Sequence, residues 1–175
     1  MACLLTSGRA LPCKSSVGGL KSVYFCDYGT LGDVTIVAGE ITAVAGTPDF
    51  FKYDIKGSSS LETAITSSRE NGTTFYTQTL NLTLTTLDKA TQEEIKLLSV
   101  SRPHIAVEDY NNNFFMLGLE HGAEVTGGSI ASGASMADAS SFSLTFEAME
   151  KSPANFTVST VVTANESATQ IDPNA

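Results

Sequence analysis

The sequence predicts a mainly β protein, a sandwich or barrel of antiparallel strands with a single flanking α-helix. The composition is the first reason: 42% of the residues are hydrophobic and only 17% are charged, and Ser and Thr fill much of the difference. Thr is β-branched, and its stiff side chain suits a pleated surface. The second reason is the pattern, because apolar and polar residues alternate over several stretches while a helical period is convincing only at about 88–99.

The 175 residues are enough for one domain with extensions at its ends. Residues 1–20 contain Gly, Ser and Pro without periodicity, and we expect an N-terminal arm that lies on another surface. Residues 21–162 are predicted to form the β domain. Residues 163–175 are predicted to be a flexible C-terminal tail.

Short strands are predicted for the first part of the β domain. The first covers about 21–28, and two more cover 34–38 and 41–45. The Gly and Pro of 46–49 indicate a turn, which leads into an aromatic strand over 50–56.

A long β-hairpin is predicted over 61–87, because Asn71-Gly72 lies between two alternating runs. Successive side chains of a strand point to opposite faces, so the second strand has one dry and one wet face. The dry face carries Tyr76, Gln78, Leu80, Leu82 and Leu84, and the wet face carries Thr77, Thr79, Asn81, Thr83 and Thr85. The wet face is polar but uncharged.

The period changes at the predicted helix, for which Asp88 is a suitable N-cap. Leu87, Ile95 and Leu98 form one stripe, and we expect this stripe to pack on a sheet. Pro103 sets the last position at which the helix can end.

Three features are predicted for the rest of the chain. A second hairpin with an Asn-rich turn covers 105–119, and the Gly, Ser and Ala residues of 126–139 predict a flexible loop. A clean strand follows over 141–149, and 156–162 has the composition of an edge strand.

Charge and cysteine content narrow the classes of function. Ten basic residues stand against nineteen acidic ones, a net charge of −9 that argues against binding the outside of nucleic acid or an anionic membrane surface. No apolar run is long enough to span a membrane, and 1–9 lacks the regions of a secretory signal. Three cysteines, Cys3, Cys13 and Cys26, are an odd number, and we expect free thiols in a reducing cytoplasm.

No motif predicts an enzyme. His104 and His121 are the only histidines, and each is predicted at a strand end, on the surface or at an edge. The sequence has no metal-ligand spacing, nucleophile setting or phosphate-binding loop. We therefore expect no catalytic residue, metal or cofactor.

Four blocks of sequence carry a resemblance to a known family. They are 13–25 with its Val-Gly-Gly-Leu-Lys run, Phe-Phe-Lys-Tyr at 50–53, 70–98, and 119–147 with Leu-Glu-His-Gly at its start and a Gly-rich loop. Together they span most of 1–158. In these blocks the chain resembles the tail tube (major tail) proteins of tailed bacteriophages, of the kind carried by phages of Bacteroidetes hosts.

The resemblance implies a structural subunit of the virion tail, synthesised in the bacterial host cytoplasm. Such subunits form stacked hexameric rings, and their strands join across subunits into an inner barrel through which double-stranded DNA passes without binding. On this basis the expected lumen-facing residues are Thr77, Thr79, Asn81, Thr83, Thr85 and Glu62. The implied partners are further copies of the chain and, beyond them, tail sheath, tail terminator and baseplate or hub proteins, with no membrane.

Two alternatives stay open from the sequence. The chain could be another virion component, such as a head–tail connector, tail terminator or decoration protein. It could also be a monomeric β-sandwich that binds a partner. Rings or tubes of the purified chain would favour the tail tube, and a monomer would favour the binding module.

Overall fold

Two open β-sheets stacked on one another make up the computed structural model, which describes residues 7–172. In chain order the elements are β1 (Leu20–Cys26), β2 (Val34–Val37), β3 (Glu40–Val44), β4 (Phe51–Asp54), β5 (Ser60–Ser68), β6 (Thr73–Thr85), α1 (Lys89–Leu98), β7 (His104–Asp109), β8 (Phe114–Leu117), β9 (Glu124–Ala131), β10 (Ser141–Glu150), β11 (Asn155–Thr157) and α2 (Ser159–Thr163). The predicted mainly β, sandwich-like fold is confirmed.

The larger sheet has seven strands in the order β2-β3-β11-β8-β7-β1-β4, and the smaller has four in the order β5-β6-β10-β9. All neighbours in the smaller sheet are antiparallel. In the larger sheet only β11 and β3 run parallel. Each sheet therefore has two open edges within the described residues, and neither closes into a barrel by itself.

The main core lies between the two sheets. Alternation along β6 buries Leu80, Leu82 and Leu84, which join one apolar cluster with Val23 and Ile105 of the larger sheet. Burying each such side chain contributes about 1.5–3 kcal/mol relative to exposure. This cluster holds the smaller sheet against the larger one and leaves the other face of the smaller sheet to solvent.

A second apolar cluster covers the opposite face of the larger sheet. It contains Tyr24 and Cys26 of β1 and Ile41 of β3 from the sheet itself, together with Phe50 and with Val162 of α2. Strand β1 is consequently buried on both faces, which explains why its apolar residues are continuous rather than alternating.

Helix α1 begins after Asp88, whose Oδ2 accepts a hydrogen bond from the backbone N–H of Thr91 at 2.8 Å. Such a cap satisfies one of the free N–H groups of the first turn. Ile95 is buried in the main core, and Leu87 and Leu98 are partly buried against it. The predicted stripe thus faces the core between the sheets.

The predicted loop over 126–139 is wrong in its first half. Residues up to Ala131 belong to β9, which pairs with β10 along its length. Gly127 and Gly128 suggest flexibility, but here glycine permits a close approach. A Cβ at Gly128 would lie 2.7 Å from the carbonyl oxygen of Ser143, so a larger side chain would not fit.

The predicted edge strand over 156–162 is also wrong. Only Asn155–Thr157 are extended, and this strand lies between β3 and β8 rather than at an edge. The chain then turns into α2, which was not predicted and which buries Val161 and Val162. Valine favours strands in general, but burial of two adjacent valines on one short helix decides the local structure here.

The two ends of the described chain make specific contacts. Residues 7–19 contain no strand or helix and are exposed, and the backbone of Val17 is held by the side-chain amide of Asn111 at 2.7 and 3.0 Å. After α2, the N–H of Phe50 donates to the carbonyl of Asn165 and the N–H of Ser167 donates to the carbonyl of Phe50. Residues 1–6, including Cys3, and 173–175 lie outside the described part. None of the described helices has the length and apolarity needed to cross a bilayer.

Candidate functional site

The outward side of the four-stranded sheet is the candidate site. On β6 its members alternate with the buried residues: Asn81 and Thr85 are exposed, and Thr77, Thr79 and Thr83 are half-buried between neighbouring strands. We call the whole surface the polar face, and its members on the four strands are Glu62, Thr77, Thr79, Asn81, Thr83, Thr85, Glu124, Ser129, Ser143, Thr145 and Glu147.

Three carboxylates lie in one row across the polar face. Thr79 pairs with Glu62 of β5 on one side and with Glu147 of β10 on the other, and Glu147 pairs in turn with Glu124 of β9. Directly opposed residues have Cβ atoms about 4.5–5.5 Å apart, and like charges at that distance repel. This acidic row of Glu62, Thr79, Glu147 and Glu124 concentrates negative charge at one level of the sheet, at a cost in stability.

On one side of the acidic row, the next two rows are uncharged and hydroxyl-rich, whereas the row on the other side contains Ala64, Thr77 and the exposed Met149. Asn81 lies between Ser60 and Thr145, and the hydroxyl of Thr145 donates to the Oδ1 of Asn81 at 3.0 Å. In the next row, Thr83 pairs with Ser143, which pairs with Ser129. These side chains make the face wettable without providing charge for an ionic partner.

No Lys or Arg occurs in the four strands of this sheet, although the chain contains ten. The strands contribute four acidic residues, of which Glu150 is buried on the inner side and the other three belong to the acidic row. A surface selected only for solubility would be expected to mix both signs of charge.

Both edges of the smaller sheet are unpaired among residues 7–172. They are β5 and β9, and β9 has a register shift opposite Thr145 and Phe146. The β5–β6 hairpin also projects past the end of β10, whose last paired residue lies opposite Tyr76. Phe75 lies in the projecting part and is weakly exposed, and Ile65, level with the last pair of β10, is more exposed.

A buried polar group links the two sheets behind the polar face. Gln78 lies on the dry side of β6, as the alternation predicts, and its side chain is fully buried. Its amide donates to the carbonyl of Ser152 at 3.0 Å and its Oε1 accepts from the N–H of Gly118 at 3.1 Å. Both ends of the amide are thereby satisfied, as a buried polar side chain requires.

His104 was expected at the surface or an edge, and this prediction is wrong, because its side chain is only 3% exposed. Its ring stacks on the ring of Tyr28 with centroids 5.0 Å apart. The guanidinium of Arg102 lies 4.1 Å from the centroid of the Tyr28 ring. Burial lowers the pKa of His104, and the charge of Arg102 adds to this; a hydrogen bond to Gly118 and the charge of Glu150 act against it. His121, in contrast, is exposed as predicted.

A cleft of about 730 Å³ lies between β4 and α1, and it reaches Thr83 and Thr85 at the end of the polar face. Tyr53, Asp88 and Glu94 are among the residues that line it. Burial raises the pKa of Tyr53 to about 12, and the carboxylates of Glu94 and Asp88 add to the rise.

Comparison with models of protein families, with curated proteins and with solved structures gave no match to this chain. Function is therefore inferred from the residues and their geometry.

Sequence reasoning found the β6 side of the polar face and Glu62 but missed Glu124 and Glu147. Glu147 alternates with buried Phe146 and Ala148, so its outward direction was available from the pattern. Glu124 was not recognised because the following glycines obscured β9. That the three carboxylates share a row depends on the pairing of strands distant in sequence, which local pattern does not determine.

Proposed function

We propose that this chain is a structural, self-assembling subunit of a bacteriophage tail tube, with no catalytic activity. The observation that carries the proposal is an antiparallel four-stranded sheet, open at both edges, whose outward face is acidic and hydroxyl-rich and has no cation. The sequence resemblance to tail tube proteins supports the same function. In the assembled tail, the polar face would line a channel for double-stranded DNA.

The strand directions favour ring closure. Because β5, β6, β10 and β9 alternate in direction, the two edge strands run opposite to each other. In a rotationally symmetric ring, β9 of one subunit beside β5 of the next would therefore pair antiparallel, and the pattern would continue from subunit to subunit. Joining edges in this way removes the hazard of open strands.

The size of such a ring suits a duplex channel. Six copies, the number that the resemblance implies, would give a barrel of about 24 strands. With strands about 4.8 Å apart and tilted by about 40°, the backbone cylinder would be about 48 Å across. Side chains would narrow this opening but would leave an aqueous channel.

Electrostatics favour passage of DNA over binding. Three carboxylates of the acidic row in each of six subunits would place about 18 negative charges at one level of the channel. DNA affinity depends on Lys and Arg contacts to phosphates, and the four strands have neither residue. A wet, non-adhesive wall of this kind would let DNA slide during ejection.

The remaining exposed segments would serve contacts between rings and with other tail proteins. The arm of residues 7–19 and the projecting end of the β5–β6 hairpin extend from the sandwich. We assign these segments to further copies of the chain. The outer surface, which includes α1, would face tail sheath, tail terminator and baseplate or hub proteins in the virion.

The second candidate function is that of a monomeric binding module. The cleft between β4 and α1 favours it, because small ligands bind in concave sites of about 300–1,000 Å³. If the chain has another virion role (head–tail connector, tail terminator or decoration protein), we also expect it to assemble, but not into long tubes.

Negative-stain microscopy and sedimentation of the purified chain test the proposal. We expect rings or tubes, and a monomer at all concentrations would contradict it. Two neighbouring variants of β5, Thr63→Pro and Ala64→Pro, provide a matched pair. In an edge strand, one of two successive N–H groups points to β6 and the other to the open edge. One variant should therefore damage the fold, and the other should keep the fold but lose ring formation.

A further inference from the structure

Glu150, the last residue of β10, is a buried carboxylate, with 3% of its surface exposed. Its Oε1 accepts two backbone hydrogen bonds, from the N–H of Glu120 at 3.0 Å and from the N–H of His121 at 2.8 Å. Its Oε2 is also buried, and it has no hydrogen-bond partner among residues 7–172. A buried carboxylate oxygen without a partner is costly, so this atom indicates a missing electropositive ligand.

The side chains of Glu120 and His121 supply the other donors of a metal site. Glu120, His121 and Glu150 each offer one ligand atom, and these three atoms lie within 4.8 Å of one another. Zinc ligands at about 2.0–2.2 Å from the ion are about 3.4 Å apart in a tetrahedral site. Because the side chains of Glu120 and His121 are 51% and 60% exposed, they have the rotamer freedom to close this difference.

The backbone that carries Glu120 and His121 is held in place before any ion binds. The turn begins and ends at Gly118 and Gly122, which have φ of 62° and 74°, and the N–H of Gly122 donates to the carbonyl of Gly118 at 3.1 Å. The hydroxyl of Tyr28 donates to the carbonyl of Glu120 at 2.9 Å. The backbone of such a fixed turn loses little entropy on binding.

A lysine lies beside one of the proposed ligands. The Nζ of Lys151 lies 3.6 Å from the Oε2 of Glu120, and the Nε2 of His121 lies 3.9 Å from the same oxygen. Lys151 is 81% exposed and is not hydrogen bonded to Glu150. It therefore competes with a metal for Glu120 without satisfying the buried oxygen.

We propose that Glu120, His121 and Glu150 bind a divalent transition-metal ion of the Zn²⁺ class. One imidazole and two carboxylates suit such ions and leave a fourth position for water. The turn of Glu120 and His121 connects β8 of the larger sheet to β9 of the smaller one, and Glu150 ends β10. A bound ion would tie the turn to the end of β10, so its role is structural. The site does not depend on the proposed tube function.

Calorimetric titration of the full chain with ZnCl₂ tests the proposal, after removal of metals with EDTA and blocking of accessible thiols with N-ethylmaleimide. We expect one site per chain and a higher melting temperature with zinc, because a ligand that binds only the folded state stabilises it. His121→Ala and Glu150→Gln should each weaken zinc binding by at least about tenfold. The exposed helix variant Glu93→Gln should bind like the wild type.

Two further measurements sharpen the test. Lys151→Gln removes the competing ammonium group and should strengthen zinc binding. In NMR spectra, zinc should shift the imidazole signals of His121 much more than those of His104. Absence of binding to the wild type, or binding that is unchanged in both His121→Ala and Glu150→Gln, would overturn the proposal. His121 is exposed, so its variant is informative even if Glu150→Gln fails to fold.

Discussion

The Nε2 of His104 accepts a hydrogen bond from the backbone N–H of Gly29 at 3.1 Å, and this contact fixes the tautomer of a buried imidazole. Because Nε2 must be the acceptor, the proton is on Nδ1, which donates to the carbonyl of Gly118 at 2.6 Å. Protonation of Nε2 would turn an acceptor into a donor that faces the N–H of Gly29. The neutral ring is therefore part of the folded structure.

This arrangement predicts a stability that falls in mild acid. Burial, with the charge of Arg102, lowers the pKa of His104 below its usual value near 6.5. As the pH falls through 6.5, the unfolded chain takes up a proton that the folded chain does not, so the free energy of unfolding decreases. Urea unfolding of the wild type at pH 7.5 and pH 5.5, in EDTA, should show this loss.

His104→Asn is the control for the histidine effect, because it removes the titrating group while keeping a donor and an acceptor. Its free energy of unfolding should change less between the two pH values than that of the wild type. An equal loss in both proteins would assign the pH dependence to other groups, such as carboxylates.

The core face of α1 predicts a large effect of one substitution. Ile95 is buried, and Ile95→Ala should lower the free energy of unfolding by about 2–5 kcal/mol through lost burial and a cavity. Leu97 lies on the same helix but is 60% exposed, so Leu97→Ala is the matched control and should cost less than about 0.5 kcal/mol. Similar losses for both variants in chemical denaturation would contradict the packing of this helix.

The proposed channel predicts that cations on the polar face will hinder DNA. Thr79→Lys combined with Thr83→Lys places two ammonium groups among the hydroxyls and beside the acidic row. We expect the subunit still to fold and form rings, because both side chains point outward and Thr79 lies between Glu62 and Glu147. Virions assembled with this double variant should eject DNA slowly or not at all, and higher salt should relieve the block.

A neutral double variant, Thr79→Gln with Thr83→Gln, controls for side-chain size in the same rows. It should eject DNA almost normally. Normal ejection by the lysine variant would refute the assignment of this face to the channel, while leaving ring formation to be judged by microscopy.

The rate of thiol alkylation should distinguish Cys13 from Cys26, which are both free cysteines in the described chain. Cys13 is exposed and should react quickly with an alkylating reagent. Cys26 is buried with its Sγ 2.9 Å from the hydroxyl of Thr30, and burial raises the pKa of its thiol, so it should react slowly. After denaturation without reductant, mass spectrometry should find all three cysteines alkylated, because Cys26 is then no longer protected by burial. A bridge between Cys13 and Cys26 would show as two unmodified residues.

Local periodicity was enough to predict the hairpin and the helix. It was less useful for strands whose pairing partners lie elsewhere in the sequence. The alternation of 61–87 and the stripe of α1 follow from side-chain geometry alone. Strand β9 was missed because Gly128 fits a close approach to Ser143, a constraint that exists only once β10 lies beside it.

Only part of the proposed metal site could be predicted from the sequence. Glu150 continues the alternation of Phe146 and Ala148, so its inward direction was predictable from the sequence. The turn that brings Glu120 and His121 to it comes from β8, about thirty residues earlier in the chain. Only the folded sheets bring these three donors together.

The register shift in β9 has a consequence for the lifetime of the free subunit. An irregular edge strand does not match a regular one, so two free subunits meeting by chance would leave some of their N–H and C=O groups without partners. We expect pairing to become favourable only when several contacts form together, as at the rim of an existing ring. Growth of the polymer from the purified subunit would then begin after a lag, and preformed seeds should abolish that lag.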